Sequence, residues 1–359
     1  MHWSLDPEHD DLRDALAGWL QRAAASDRVR AWFDEGDALA FPRQLAAEGW
    51  TALGVAESRG GQGGGLLELA ILAEELAATA APSGAWLATV LALPTLPDDV
   101  AEAVLEEGTT VALAVRADRP LDVDHDTVTV SGDTLSGSVP FVLGGAEASV
   151  FIVPAQGALY RVDADAPGVT VTPAALLDRS RTVADLAFDG ALGTRLEAPV
   201  EMLRVASARA AVLAAADALG AARRMREMAV EYSGQRVQFG VPVGSFQAMK
   251  HAAATMLVDE EAARSIVYFA AASVEDGHER APLHAAAAKA QVTAHAADAA
   301  DSALTMHGAI GYTWEHDLQL LYKRAKLDRE LFGAPSRWNE RIADALLPAD
   351  GGAPLVSIP

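Results

Sequence analysis

Three short segments carry residues suited to holding a phosphate-bearing ligand: Gln235-Arg236-Val237-Gln238-Phe239-Gly240, Ser245-Phe246-Gln247, and Thr305-Met306-His307-Gly308-Ala309-Ile310-Gly311-Tyr312-Thr313. The chain has 28 Lys and Arg residues against 50 Asp and Glu, a formal net charge of -22. A diphosphate bound here needs a local donor, and Arg236 can supply a planar bidentate fork. Phe239 offers an apolar wall, and Gln247, at the start of the next helix, offers a side-chain amide. Gly308, Ala309 and Gly311 are small enough for backbone N–H groups to approach an anion closely. The plain alternative is an Arg236 paired with a surface carboxylate and glycines that merely end a helix. The whole spaced set favours the phosphate reading.

The elements that must position these residues change character twice along the chain. From Pro7 to about Gly108 the apolar spacing is helical: Leu12, Leu16, Trp19 and Leu20 share one face, and Leu67, Ile71, Leu72 and Leu76 another. This predicts a helical domain over residues 1–109. In 110–194, β-branched runs at 127–130, 149–153, 168–171 and 183–188 are punctuated by Gly, Asp and Pro. Short links between sequential strands predict an antiparallel barrel or sandwich. Over 195–347, Ala-rich helices are expected at about Val200–Tyr232, Ser245–Asp276, Ala281–Met306, Leu318–Leu331 and Ser336–Leu347. They suggest antiparallel four-helix packing, with 348–359 as a loose tail.

Composition narrows the function. A length of 359 residues with 51% hydrophobic content predicts two or three packed units. The acidic balance opposes binding to nucleic acid or anionic lipid. With no cysteine there is no thiol catalysis and no disulfide framework. The first residues show neither a basic flank nor an apolar run, and no stretch reaches the roughly 20 apolar residues of a membrane span. A cytoplasmic protein is expected. His284 and His295 lack acidic partners at metal-ligand spacing, so no metal site is expected.

Together, the three segments and the helix, strand, helix order resemble the acyl-CoA dehydrogenase superfamily over nearly the whole chain. Ala56-Glu57-Ser58-Arg59-Gly60-Gly61-Gln62-Gly63-Gly64-Gly65, followed by Ala73-Glu74-Glu75-Leu76, is similar to that family's glycine loop and the helix after it. The resemblance implies an α+β multidomain fold. It also implies an FAD whose ADP half is held by Arg236, Gln238, Phe239, Gln247, Thr305, His307, Gly308, Ala309 and Gly311 and is shared with a neighbouring subunit. On this reading His307 packs near the adenine.

The same resemblance exposes what is missing. The two positions of the family's proton-abstracting glutamate fall on Phe332 and Ala210, neither of which accepts a proton. Phe141 stands where a flavin-covering Trp is usual, and Leu143 where a hydroxyl would reach flavin N5. Substrate-directed positions fall on Ala208 and Ala211, with Arg209 one step off the expected face. Asp328 is the reserve base, with Glu330 pointing elsewhere, Glu201 preceding the helix of Ala210, and His251 read as a surface or interface residue. The alternative for Asp328 is an ion pair within the mixed-charge run 323–330.

The pattern therefore resembles the smaller, catalytically degenerate subunit of actinobacterial α2β2 acyl-CoA dehydrogenases that degrade steroid side chains. That implies a homologous catalytic partner, an acyl-CoA substrate and a shared FAD, with no catalytic residue in this chain. Two alternatives stand beside it: a self-sufficient homo-oligomer using Asp328, and a scaffold without flavin.

Overall fold

A computed structural model describes residues 5–123 and 126–347; the tail expected at 348–359 lies outside the described residues. Helices come first: α1 (Pro7–Ala23), α2 (Ser26–Glu35), α3 (Ala40–Ala47), α4 (Leu66–Thr79), α5 (Gly84–Ala92) and α6 (Asp98–Glu107). Strands follow as β1 (Val111–Leu113), β2 (Val128–Ser131), β3 (Thr134–Leu143), β4 (Val150–Ala155), β5 (Ala158–Asp163), β6 (Val169–Ala174), β7 (Val183–Leu192) and β8 (Thr194–Pro199). Then come α7 (Met202–Gln235), the two-residue strands β9 (Val237–Gln238) and β10 (Val241–Pro242), α8 (Gln247–Glu275), α9 (Ala281–His307), α10 (Leu318–Glu330) and α11 (Pro335–Leu346). The five C-terminal helices lie within three residues of the expected bounds. The chain divides into two compact units, one made of residues up to Leu20, Ala70–Ala80 and everything from Ala211, the other of Gln21–Leu69 and Ala81–Ala210.

The second of these holds two four-stranded sheets, ordered β1-β4-β5-β8 and β2-β3-β7-β6. Every pair in them is antiparallel except β1–β4, which is parallel with Val111 opposite Val150. This corrects the all-antiparallel expectation. The β2–β3 hairpin intervenes between β1 and β4, and so long a connection lets the chain return in the same direction. β4 is an interior strand buried along its whole length, which is why its sequence is a continuous apolar run and not an alternating one. Phe151 on β4 meets Phe188 on β7 edge to face at 6.4 Å, closing the core between the sheets.

In the other unit, α7, α8, α9 and α10 reverse direction at each connection. The end of α7, the start of α8, the end of α9 and the start of α10 therefore gather at one end of the bundle. Alanines let these helices approach closely. Gly220 on α7 shows how closely: a Cβ there would lie 1.9 Å from the backbone oxygen of Glu74 on α4. A mid-helix glycine costs about 1 kcal/mol relative to alanine, and here only glycine fits.

Two layers of charge cross this apolar interior. Arg13, Arg223 and Arg264 approach Glu74 at 3.4, 3.6 and 2.8 Å, and the Tyr268 hydroxyl donates to it. Burial by itself would raise the Glu74 pKa, but the three guanidiniums outweigh it and hold the carboxyl below its ordinary value. In the second layer, Arg324 forks onto Asp217 at 2.7 and 2.6 Å, beside fully buried Lys289 and Asp328.

Candidate functional site

The expected phosphate-binding residues assemble at one end of the bundle. Tyr232, in the last turn of α7, stacks on His307 at 4.9 Å with the rings 21° apart, which joins the Arg236 segment to the 305–312 segment. Beyond α7, β9 and β10 form a tight hairpin whose turn residues Phe239 and Gly240 have φ of 54° and 81°. Phe239 is 92% exposed and meets Phe246 edge to face at 6.2 Å. Among the described residues the Arg236 side chain makes no ion pair and no hydrogen bond, so the surface-carboxylate alternative finds no partner there. Gln247 is the exposed first residue of α8, and the Phe246 before it gives no side-chain cap. The Met249 and Lys250 N–H groups donate to Phe246 O, which leaves those of Gln247 and Ala248 open to an anion at the positive end of the helix dipole.

Gly308 follows α9 with φ 64° and ψ -141°, a backbone state that only glycine adopts readily, and a Cβ placed there would meet nothing within 4 Å. A ligand can therefore reach the backbone at that point. These features suit the diphosphate of a dinucleotide. Gln238 donates its amide to the backbone oxygen of Val237 at 2.9 Å and Thr305 its hydroxyl to that of Asp301 at 2.8 Å, and both residues are exposed.

His307 departs from its expected surroundings. It is 3% exposed, packed between Tyr232 and His316, with Nδ1 donating to Ala303 O at 2.7 Å. Burial lowers its pKa, and the hydrogen bond to Ala303 only partly opposes this. Its place is beneath the surface as a packing group, because its ring lies flat against the Tyr232 ring and not outward.

The Phe332 turn is built differently. Phe332 is 1% exposed with φ 59°, and Gly333 follows with φ 100°. A bulky side chain in that region costs on the order of 1–2 kcal/mol, so its surroundings must impose it. They do: Trp338 Nε1 donates to Phe332 O at 3.0 Å, while Lys289 Nζ donates to the backbone oxygens of Asp328, Arg329 and Gly333 at 3.0, 3.2 and 3.0 Å. Three acceptors match the three N–H bonds of an ammonium. Burial pushes Lys289 down to about 7, against the attraction of Asp328 and Glu330. Asp328 is fully buried beside it, so its charge partner comes from α9 and not only from its own run. Ala210 and Ala211 are also fully buried, Ala208 and Arg209 are partly exposed, and Glu201 is exposed.

In the sheet-containing unit, the β3–β7 register slips between Val139 and Val142, and Phe141 occupies this bulge with φ 56°. Asp185 Oδ1 accepts its N–H at 2.8 Å. Such bulges re-aim a side chain. Leu143, two residues on, is buried. The glycine loop has a structural explanation: Gly60, Gly63 and Gly64 have positive φ, and the Gly65 N–H donates to Glu68 Oε2 at 2.6 Å at the start of α4. Elsewhere, His284 Nδ1 pairs with Ser273 Oγ at 2.7 Å and His251 is exposed. Among the described residues no group of three or more His, Cys, Asp or Glu could hold a metal ion. Also among them, α7 alone is long and apolar enough to cross a membrane, and 78% of its apolar window is buried inside the protein, as in a core helix. The Lys289 clamp and the Glu74 cluster were not read from the sequence; the available signal was the pair Glu74-Glu75 after the apolar run Leu69–Ala73 of α4.

Comparison with known proteins places this geometry. Residues 199–347 match the family profile "Acyl-CoA dehydrogenase, C-terminal domain" and residues 6–98 the corresponding N-terminal domain. Acyl-CoA dehydrogenase FadE34 of Mycobacterium tuberculosis is 35% identical over 347 residues, covering 93% of this chain and 47% of FadE34, so the chain spans about half of that relative's length. Acyl-CoA dehydrogenase IpdE2 of the same organism is 32% identical over 342 residues, covering 93% of this chain and 96% of IpdE2. Among solved structures, the steroid acyl-CoA dehydrogenase Tcur3481-Tcur3483 superposes with a TM-score of 0.85 at 25% identity, covering 94% of this chain and 97% of that one.

Proposed function

The chain belongs to the acyl-CoA dehydrogenase family, a family of FAD-dependent oxidoreductases, and from that premise we propose that it is the non-catalytic subunit of a heteromeric acyl-CoA dehydrogenase. It contributes Arg236, Gln247, the first turn of α8 and the Gly308–Tyr312 turn to the nucleotide half of an FAD that serves a homologous catalytic partner. When bound, the flavin supplies the hydride acceptor for α,β-dehydrogenation of an acyl-CoA thioester. The proton acceptor for that reaction belongs to the partner, as do the contacts to the reacting carbons. A cytoplasmic α2β2 assembly acting on steroid side-chain thioesters goes with this reading.

The observation that carries it is the contrast between an open, unpaired Arg236 and a sealed Phe332. A carboxylate typically contributes about 10²–10⁴-fold to proton abstraction, and Phe332 and Ala210 contribute none of it. Asp328 is a poor substitute because it is fully buried in a charge layer beside Lys289 and the Arg324–Asp217 pair. Two further features support a partner. Phe239, Phe246, Ile310, Tyr312 and Trp314 leave large apolar surface exposed around the nucleotide end. The half of FadE34 that this chain does not match is long enough for a second unit of the same size. In the test, the chain is purified alone and after co-expression with a homologue bearing the glutamate, and acyl-CoA oxidation and bound flavin are assayed in both. Activity and full flavin only in the co-purified complex are expected; rapid turnover by the chain alone would overturn the proposal.

A further inference from the structure

His307, the last residue of α9, is a buried titratable group that the proposed reaction does not use, and it stands directly before the Gly308–Tyr312 turn. Its partners reveal its protonation state. Nδ1 lies 2.7 Å from Ala303 O, and a carbonyl only accepts, so Nδ1 carries the proton of the neutral ring. Nε2 is then the bare nitrogen; it is buried and, among the described residues, has no hydrogen-bond partner. A second proton has nowhere else to go. It would leave a charged N–H without an acceptor, which costs more than the roughly 1–3 kcal/mol of a neutral buried donor. The titratable groups set against the ring supply no carboxylate: Tyr232 on α7 stacks on its face at 4.9 Å, and His316, ahead of α10, meets it edgewise at 4.7 Å. Burial chiefly holds His307 below the ordinary histidine value; a charge on His316 adds to this, and the bond to Ala303 opposes it. The turn is seated on the same ring. Gly311 is buried, and a Cβ placed on it would lie 3.1 Å from the Cβ of His307.

We propose that His307 is an acid-sensitive latch: a proton on Nε2 drives the ring out from between Tyr232 and His316 and so releases the Gly308–Tyr312 turn. Because the packed ring takes up a proton less readily than a free one, the latch is closed above about pH 6.5, the free histidine value, and opens as the pH falls below it, by at most about tenfold per pH unit. Weaker nucleotide binding in acid is the consequence, and that consequence alone rests on the flavin-sharing reading.

Hydrogen exchange of the full chain without flavin, followed from about pH 7.5 to about pH 5.5 and corrected for the intrinsic pH dependence of exchange, tests the latch separately from that reading. Protection of the amides at 308–316 should fall roughly fivefold to tenfold across the range, while amides in the middle of α9 keep theirs. The fall should disappear in His307→Phe, which keeps a ring against Tyr232 but cannot titrate, and should persist in His316→Phe. His307→Gln carries the same expectation if His307→Phe fails to fold. A fall that survives in the His307 variants, a fall abolished by His316→Phe, or constant protection in the wild type would each overturn the proposal. The last result would mean that the Tyr232 face holds the imidazolium in place.

Discussion

The Arg236 end of the bundle and the Phe332 turn belong to one compact unit yet answer to opposite physical demands. At the first, among the described residues, there is a guanidinium without a carboxylate, a helix start without a side-chain cap, and a glycine with open space beside it. At the second, every strained feature is tied down, by Lys289 on three backbone oxygens and by Trp338 on a fourth. Unpaired donors are what a binding surface keeps for its ligand. Satisfied donors around an apolar side chain are what a packed core needs. On the proposed reading the difference separates binding from chemistry, one end serving to grip a dinucleotide and the other filled by Phe332.

The contrast can be broken most severely at Lys289. Lys289→Met removes the donor to three carbonyls and one cation beside buried Asp328, so a loss of about 3–5 kcal/mol is expected in urea unfolding. A loss below about 1 kcal/mol would show that the clamp is idle. The pH dependence has a definite sign. Because the folded-state pKa lies near 7, below the free lysine value of 10.5, the folded chain binds fewer protons between those limits. Stability should therefore rise with pH across that window, by at most about 1.4 kcal/mol per unit, and the rise should vanish in Lys289→Met.

A smaller effect is expected at the other end. Arg236→Ala should weaken flavin binding by the complex about 10–100-fold, as befits a lost charge-assisted bond, while the melting temperature of the isolated chain stays unchanged. Smaller again is Phe239→Asn. Asparagine tolerates the positive φ of the hairpin turn, so the isolated chain should gain up to about 1 kcal/mol while its grip on the partner weakens. Opposite signs in unfolding and co-purification assays would sharpen the comparison. Least of all should come from Asp328→Asn. Turnover per folded complex should stay within about twofold of the wild type if, as proposed, the proton acceptor belongs to the partner; abolished turnover would install Asp328 as the base.

Much of this was legible in the sequence. The long helices announced themselves because alanine-rich apolar periodicity persists for many turns, and the phosphate-side residues because small residues and an arginine recur at helix ends. The strands were harder. β1 has three residues, and β5 mixes Tyr160 and Arg161 into its run, so neither shows alternation. The parallel β1–β4 pair depends on a long-range return of the chain that no local pattern encodes. Buried charge was the least visible. Arg13, Arg223 and Arg264 look like surface residues until three helices bring them to Glu74, and Lys289 sits in an alanine run whose partners arrive from α10. The burial of His307 escaped for the same reason: its neighbour Tyr232 is 75 residues earlier in the chain.

The most direct test of the central claim is the flavin content of this chain co-purified with a catalytic homologue, with and without Arg236→Ala in this chain only. About one FAD per pair of subunits, falling toward none when the arginine of this chain is removed, is the expected result from one intact and one degenerate pocket. Two FAD per pair, or a full complement that survives Arg236→Ala, would contradict it.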